Sequence, residues 1–365
     1  MNKNILLLLM AAFTIAACAG TIDPAEQGGD PVAPFTLSAD KTQIESDGTD
    51  MATFTIKDAN GTVLTDASHI RNTSFQIVEL NEWRSGLGSS EAPNTFSSIT
   101  DGTYTIKAMY NGEYCTNEVT VTSKNRINYE KFHKNVLLYR YTGTWCSACP
   151  AMTIALNNVN QYTKDHIIIM DIHGNGGGQD EFARSATSSD AIYVYNNIGF
   201  PYCDYSLHGG STEPSRSQLG TIHSWVKTVL YTYPARTGIK ASSAIEGDVV
   251  KVNATIQASV AGEYDLACAV IKDGCVPSAA DANEKVYDNV LVGITANYRQ
   301  MVTGTPSMQK DSERQVFIEL SAASYKNVAD KCEIILFTLT KVNGKVVVDN
   351  ATSLKIGGSV DYKYN

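Results

Sequence analysis

The stretch Gly143–Met152, GTWCSACPAM, decides how this chain is read. Two residues between Cys146 and Cys149 place both sulfurs at one end of a helix, where they can close a small ring without moving the backbone. At a helix start, unpaired N–H groups and the helix dipole favour an anion on Cys146. Thiols in a Cys-x-x-Cys pair fall from about 8.5 to roughly 3.5–7.5, and the thiolate is the attacking species. Cys146 is therefore the expected nucleophile and Cys149 the thiol that resolves the mixed disulfide. Pro150 is tolerated in a first turn, which points to Cys146 or Ser147 as the N-cap. Two other readings stand beside this one. The pair can be a static disulfide, or half of a zinc site completed by His173 and Cys203. Zinc sites with four protein ligands usually show a second closely spaced pair; none is present, and no metal is expected.

The flanking sequence supplies the frame. NVLLYRY (Asn135–Tyr141) is a continuous apolar and aromatic run, the mark of a buried central strand. After the dithiol, Met152, Leu156 and Val159 recur at helical spacing. HIIIMDI reads as a second buried strand. SSDAIYVYNNIG reads as a helix with Ser188, Ser189 or Asp190 as N-cap and Gly199 as its stop. FPYCDYSL is a third strand opened by Pro201. Leu219, Ile222, Val226, Val229 and Leu230 form one face of a last helix. Residues 125–235 thus read as an α/β domain. Residues 35–123 alternate apolar and polar positions, with hairpin turns expected at Asn60-Gly61 and Asn111-Gly112. Residues 237–365 are again strand-rich, with a hairpin at Asn343-Gly344, and suit a β-sandwich. EKVYDNVLVGI, within that segment, offers no motif that translates into chemistry.

Residues 125–235 resemble the thioredoxin fold. More closely, NVLLYRYTGTWCSACP and the GFP of Gly199–Pro201 resemble the twenty-eight-kilodalton outer-membrane lipoprotein family of Bacteroidota. LSADKTQIESDGTDMATFTIKDANG is similar to bacterial immunoglobulin-like surface modules. The fold class these resemblances imply is multidomain: a central α/β thioredoxin-like domain flanked by an N-terminal Ig-like β-sandwich and a C-terminal β-sandwich. They also imply a cis Pro201 opening the strand that faces the dithiol, with Trp145 and Phe200 supporting the peptide cleft; the alternative is an ordinary trans proline at a strand start. Thioredoxins usually carry a buried acid in the strand before the dithiol. Alignment on Trp145 puts Arg140 there, where it favours thiolate if it points inward and meets solvent otherwise. Asp171 and His173, at the end of the next strand, are proton carriers or structural residues.

The N-terminus gives an address. Lys3 precedes the apolar run ILLLLMAAFTIAA, and IAAC ends at Cys18. This is the pattern of a secretory signal over residues 1–17, too short to span a bilayer comfortably, and it resembles a bacterial lipobox with Cys18 as the lipidated residue. Residues 18–34 are small and acidic with three prolines, a flexible tether. The expected location is the bacterial cell envelope, as an outer-membrane lipoprotein on the periplasmic or surface face, held by the lipid on Cys18. Such a compartment permits disulfides. The formal net charge is −9 with no basic cluster, which argues against nucleic acid as a partner.

Cys115, Cys203, Cys268, Cys275 and Cys332 remain, an odd number. Cys115 is expected to be a buried strand residue, and one bridge among the last three is possible in any of its pairings. Cys203, two residues past Pro201, is either a third thiol near the pair or a packing residue. Two functions follow. One is a thiol–disulfide oxidoreductase needing no cofactor, acting on protein thiols or disulfides of the envelope. The other is a non-enzymatic surface adhesin or scaffold with a structural disulfide.

Overall fold

The computed structural model describes residues 31–88, 92–124, 131–212 and 219–365. The expected leader, and lipidation at Cys18, lie outside the described residues. Among the described residues the protein is mostly β, with 42% in strands and 15% in helices. It divides into two compact units, the larger made of the described residues of Gln43–Met51, Ser97–Gly102 and Thr122–Asn365 and the smaller of the other described residues up to Val121.

In the N-terminal part, one sheet is formed by Thr36–Ala39, Ala52–Lys57 and Thr95–Phe96. A second contains Val119–Ser123, Gly102–Tyr110, Thr73–Ile77 and Glu82–Arg84. Alternation along Ala52–Lys57 buries Ala52, Phe54 and Ile56, and Phe54 meets Phe75 of the second sheet with ring centroids 6.4 Å apart. The turn at Asn111-Gly112 has φ of 49° and 83°, the left-handed pair that a two-residue hairpin of this type requires. Cys115 differs from expectation. It lies just beyond the short strand Glu113–Tyr114 and is half-buried.

In the larger unit the order is β1 (Val136–Thr142), α1 (Cys149–Asn157), α2 (Gln161–Asp165), β2 (Ile167–His173), α3 (Ser188–Asn197), β3 (Tyr202–Tyr205), β4 (Gly210–Ser211) and α4 (Leu219–Thr232). The principal strands that follow are β5 (Thr237–Glu246), β6 (Val249–Ala258), β7 (Asp265–Lys272), β8 (Val290–Ile294), β9 (Glu313–Ser321), β10 (Cys332–Val342), β11 (Lys345–Lys355) and β12 (Ser359–Val360). β1 is buried at every position, as its unbroken apolar run demands. It pairs parallel with β2 and antiparallel with β3. Helix α3 is capped by Thr187 rather than by Ser188, Ser189 or Asp190, because helical geometry already includes those three. Gly199, at φ 106°, ends it by donating to the Val194 carbonyl.

The boundary expected near residue 236 does not separate two sheets. One eight-stranded sheet runs β4-β3-β1-β2-β8-β7-β10-β11, so the α/β segment and the C-terminal segment share it. The join is the parallel pairing of Asp171 on β2 with Val290 on β8. Without β8 the outer edge of β2 would be open, and an open edge in an apolar setting must be paired or covered. The sheet curls until Tyr139 on β1 reaches Phe337 on β10, ring centroids 6.2 Å apart. On its other face Val136 and Leu138 pack on Met152 and Leu156 of α1 and on Ile222, Val226 and Val229 of α4. Farther along, Cys268, Val270, Ile334 and Leu336 pack on Ile239, Val252 and Ile256 of the four-stranded sheet β9-β6-β5-β12. Each such fully buried aliphatic side chain stabilises the fold by about 1.5–3 kcal/mol. Asn343-Gly344 joins β10 to β11 with φ of 51° and 79°.

Candidate functional site

Cys146 and Cys149 are bonded to each other, with Cα atoms 5.4 Å apart. Both are buried, at 5% and 1% exposure. Helix α1 begins at Cys149 with Ala148 as N-cap and Pro150 in its first turn. Neither Cys146 nor Ser147 is the cap. Cys146 instead sits in a turn, donating its N–H to the Gly143 carbonyl at 3.0 Å and accepting from Cys149 N–H at 3.2 Å. The field of a helix end falls off within one turn. It therefore acts most directly on Cys149, and Cys146 stands at its margin.

Trp145 is lodged against Phe200, the residue before the strand-opening proline. Its ring stacks on Phe200 at 5.6 Å with planes 13° apart, and Tyr195 meets both rings edge-on. The indole N–H donates to the Gly174 carbonyl at 2.8 Å. A Cβ at Gly177 would lie 2.6 Å and one at Gly178 2.9 Å from Trp145, and one at Gly176 would lie 2.2 Å from Tyr195, so the glycine run Gly176–Gly178 is what lets the chain wrap these two rings. That run is a signal in the sequence that motif reading passed over. The Phe200–Pro201 bond is cis, and β3 starts at the next residue.

Below the dithiol, Arg140 points inward. Its neighbours across the sheet are Asp171 on β2 and Cys203 on β3. Nη1 lies 3.2 Å from Asp171 Oδ2. Nη2 donates to Thr153 Oγ1 at 2.6 Å and lies 3.7 Å from Glu284 Oε1. The Thr153 hydroxyl donates in turn to Glu284 Oε1 at 2.9 Å. Burial pushes the Asp171 carboxyl up to about 6, while Arg140 pulls the other way. The acids absent from β1 are thus supplied from β2 and from the loop before β8.

Beside the dithiol, His173 Nδ1 is 2.8 Å from Asp180 Oδ2, which also accepts the Thr144 N–H at 2.8 Å. Burial works to raise the Asp180 carboxyl, but the bonds from His173, Thr144 and Phe182 outweigh it and hold it below the ordinary value. The His173 ring is packed edge-on against Phe182 and Tyr287. Asp171 and His173 are both committed to buried pairs. Asn283 donates from its backbone N–H and from Nδ2 to the Thr144 carbonyl, at 3.0 and 3.1 Å. Asn283, Glu284 and Tyr287 come from or beside the EKVYDNVLVGI stretch, which gave no motif.

Cys203 is free and buried on the face that α1 and α4 cover, and burial pushes its thiol far up. Cys115, Cys268, Cys275 and Cys332 are also free. Among the described residues no group of three or more His, Cys, Asp or Glu is placed to hold a metal ion. None of the described helices is long and apolar enough to cross a membrane.

The arrangement is a bonded Cys-x-x-Cys pair at a helix start, with an aromatic stack on one side and a buried charge network below. No protein-family model matches the chain, and no curated protein does. Among solved structures it is similar to HBP35 of Porphyromonas gingivalis at 13% identity and a TM-score of 0.47, over 62% of this chain and 76% of that one. It is also similar to the Yersinia pseudotuberculosis adhesin InvE at 11% identity and a TM-score of 0.20, over 90% of this chain and 61% of that one. Likenesses this distant carry no argument about chemistry.

Proposed function

We propose that this chain is a thiol–disulfide exchange protein of the bacterial envelope, tethered through a lipid on Cys18, whose part from β1 to α4 is thioredoxin-like. The observation that carries the reading is the bonded Cys146–Cys149 pair, with Cys149 as the first residue of α1. The Trp145–Phe200 stack beside a cis Pro201 adds to it. In the reduced state the Cys146 thiolate attacks a protein disulfide, forming a mixed disulfide and releasing one substrate thiolate. Cys149 then loses its proton and attacks Cys146. The Cys146–Cys149 bond forms, and the electron pair of the broken bond leaves with the second substrate sulfur. The substrate is reduced by two electrons and the pair is oxidised. Residues 35–123 are read as an Ig-like spacer and the partners as envelope proteins bearing thiols or disulfides.

The burial of both sulfurs favours a second reading, a surface adhesin or scaffold in which the disulfide is structural. A redox titration of the full chain separates the two. Exchange catalysts have potentials between roughly −120 and −270 mV, and structural bridges lie below about −300 mV. A value in the first range, with disulfide reduction lost in Cys146→Ser and kept in Cys203→Ser, is the expected result. A value in the second range would end the proposal.

A further inference from the structure

The loop before β8 grips the dithiol segment on both sides. Ahead of the cysteines, Asn283 donates twice to the Thr144 carbonyl. Behind them, Glu284 holds Thr153 at 2.9 Å and stands 3.7 Å from Arg140. Thr153 is four residues beyond Cys149 on α1, which puts the two on one helix face. Glu284 is itself fixed by its N–H, which donates to the Tyr287 hydroxyl at 3.1 Å. Tyr287 is nearly buried, and its neighbour on the far side is Cys275, whose backbone it pairs with in both directions.

We infer that Asn283 and Glu284 are positioning residues that set the dithiol–disulfide equilibrium of Cys146 and Cys149. The inference deepens the exchange function proposed above by naming what tunes its site. When the disulfide opens, the two sulfurs are free to separate only as far as Thr144 and α1 allow. A segment anchored at both ends keeps the thiols close, and closeness raises their effective concentration for re-forming the bond. Loosening either anchor favours the reduced, separated state. The C-terminal segment, distant in sequence, thereby controls the redox poise of a pair it does not contain.

The test measures the equilibrium constant of the pair against glutathione in the full chain. Asn283→Ala and Glu284→Ala are each expected to lower the constant for disulfide formation about tenfold, a rise of about 30 mV. Glu284→Gln, which keeps an acceptor for the Thr153 hydroxyl, should recover most of that loss. Ser278→Ala removes a side-chain bond of the same loop to Glu181 and leaves the Asn283 and Glu284 bonds in place, and should leave the constant within twofold. Should Glu284→Ala fail to fold, Thr153→Val removes the same anchor and is judged by the same figure. Constants within twofold of the parent in both anchor variants overturn the inference, as does an equal shift in Ser278→Ala. A parent potential below about −300 mV would sink the exchange function while leaving these ratios measurable. Unchanged ratios around a catalytic potential would sink the positioning role alone.

Discussion

The two halves of the eight-stranded sheet use cysteine in opposite ways. In the β4-β3-β1-β2 half, Cys146 and Cys149 are bonded beside a network of Arg140, Asp171, Thr153 and Glu284. In the β8-β7-β10-β11 half, Cys268 and Cys332 lie among aliphatic side chains under the four-stranded sheet β9-β6-β5-β12. Burial pushes the Cys332 thiol up to about 11 and that of Cys268 further still. All four sulfurs are hidden from solvent, so burial alone does not distinguish a working thiol from a packing one. The difference lies in whether charges and a helix start share the space.

The sharpest break of that comparison is chemical labelling. After reduction, Cys146 should react with a small alkylating reagent at pH 7 at least about a hundredfold faster than Cys268 and Cys332, since thiolate fraction and access govern the rate. Mass spectrometry of the labelled protein reads this directly, and equal labelling in the folded state would erase the contrast. Next in size is Arg140→Leu. It leaves Asp171 buried without its ion pair, and losing one partner of a buried pair costs about 3–5 kcal/mol. Thermal unfolding should show a large drop in Tm, whereas Lys251→Leu, at an exposed pair with Glu246, should barely move it.

A smaller effect is carried by pH. The native state holds the Asp171 proton up to about pH 6, chiefly because the carboxyl is buried, and the unfolded chain releases it near 3.8. Between those values the native state binds more protons, so the Asp171 contribution falls as pH rises through that interval and is flat above it. The groups facing this carboxyl are Arg140, His173, Glu284 and Asp288. Urea unfolding of Asp171→Asn across pH 4–7, compared with the parent, should lack that decline. The smallest expected effect lies in the other half of the sheet. Gly344 has φ 79°, and Gly344→Ala should cost about 1 kcal/mol by forcing a side chain into the left-handed region. Denaturant midpoints of the two proteins measure it.

What could be read in the sequence was local. Asn111-Gly112 and Asn343-Gly344 announce their turns because only a few residues accept those dihedrals. Val136–Thr142 announces itself because a strand covered on both faces has no polar positions. The cysteine spacing gave the bonded pair. Its exact helix start escaped, since the choice between Cys146, Ser147 and Ala148 as cap turns on single backbone bonds that composition does not encode. The shared sheet escaped for a different reason. One register pair, Asp171 with Val290, joins the two segments, and a long-range pairing leaves no periodic trace on either strand. Glu284 opens a stretch with no motif, and its value lies in where the fold carries it.

The join between β2 and β8 also sets a timetable. During synthesis β2 is complete long before Val290 exists, so its outer backbone waits uncovered while most of the remaining chain is made. Closing so distant a pairing is slow. A nascent chain of this design benefits from a holdase until its last third arrives, and a copy truncated before β8 would expose a sticky ribbon rather than a smaller working domain.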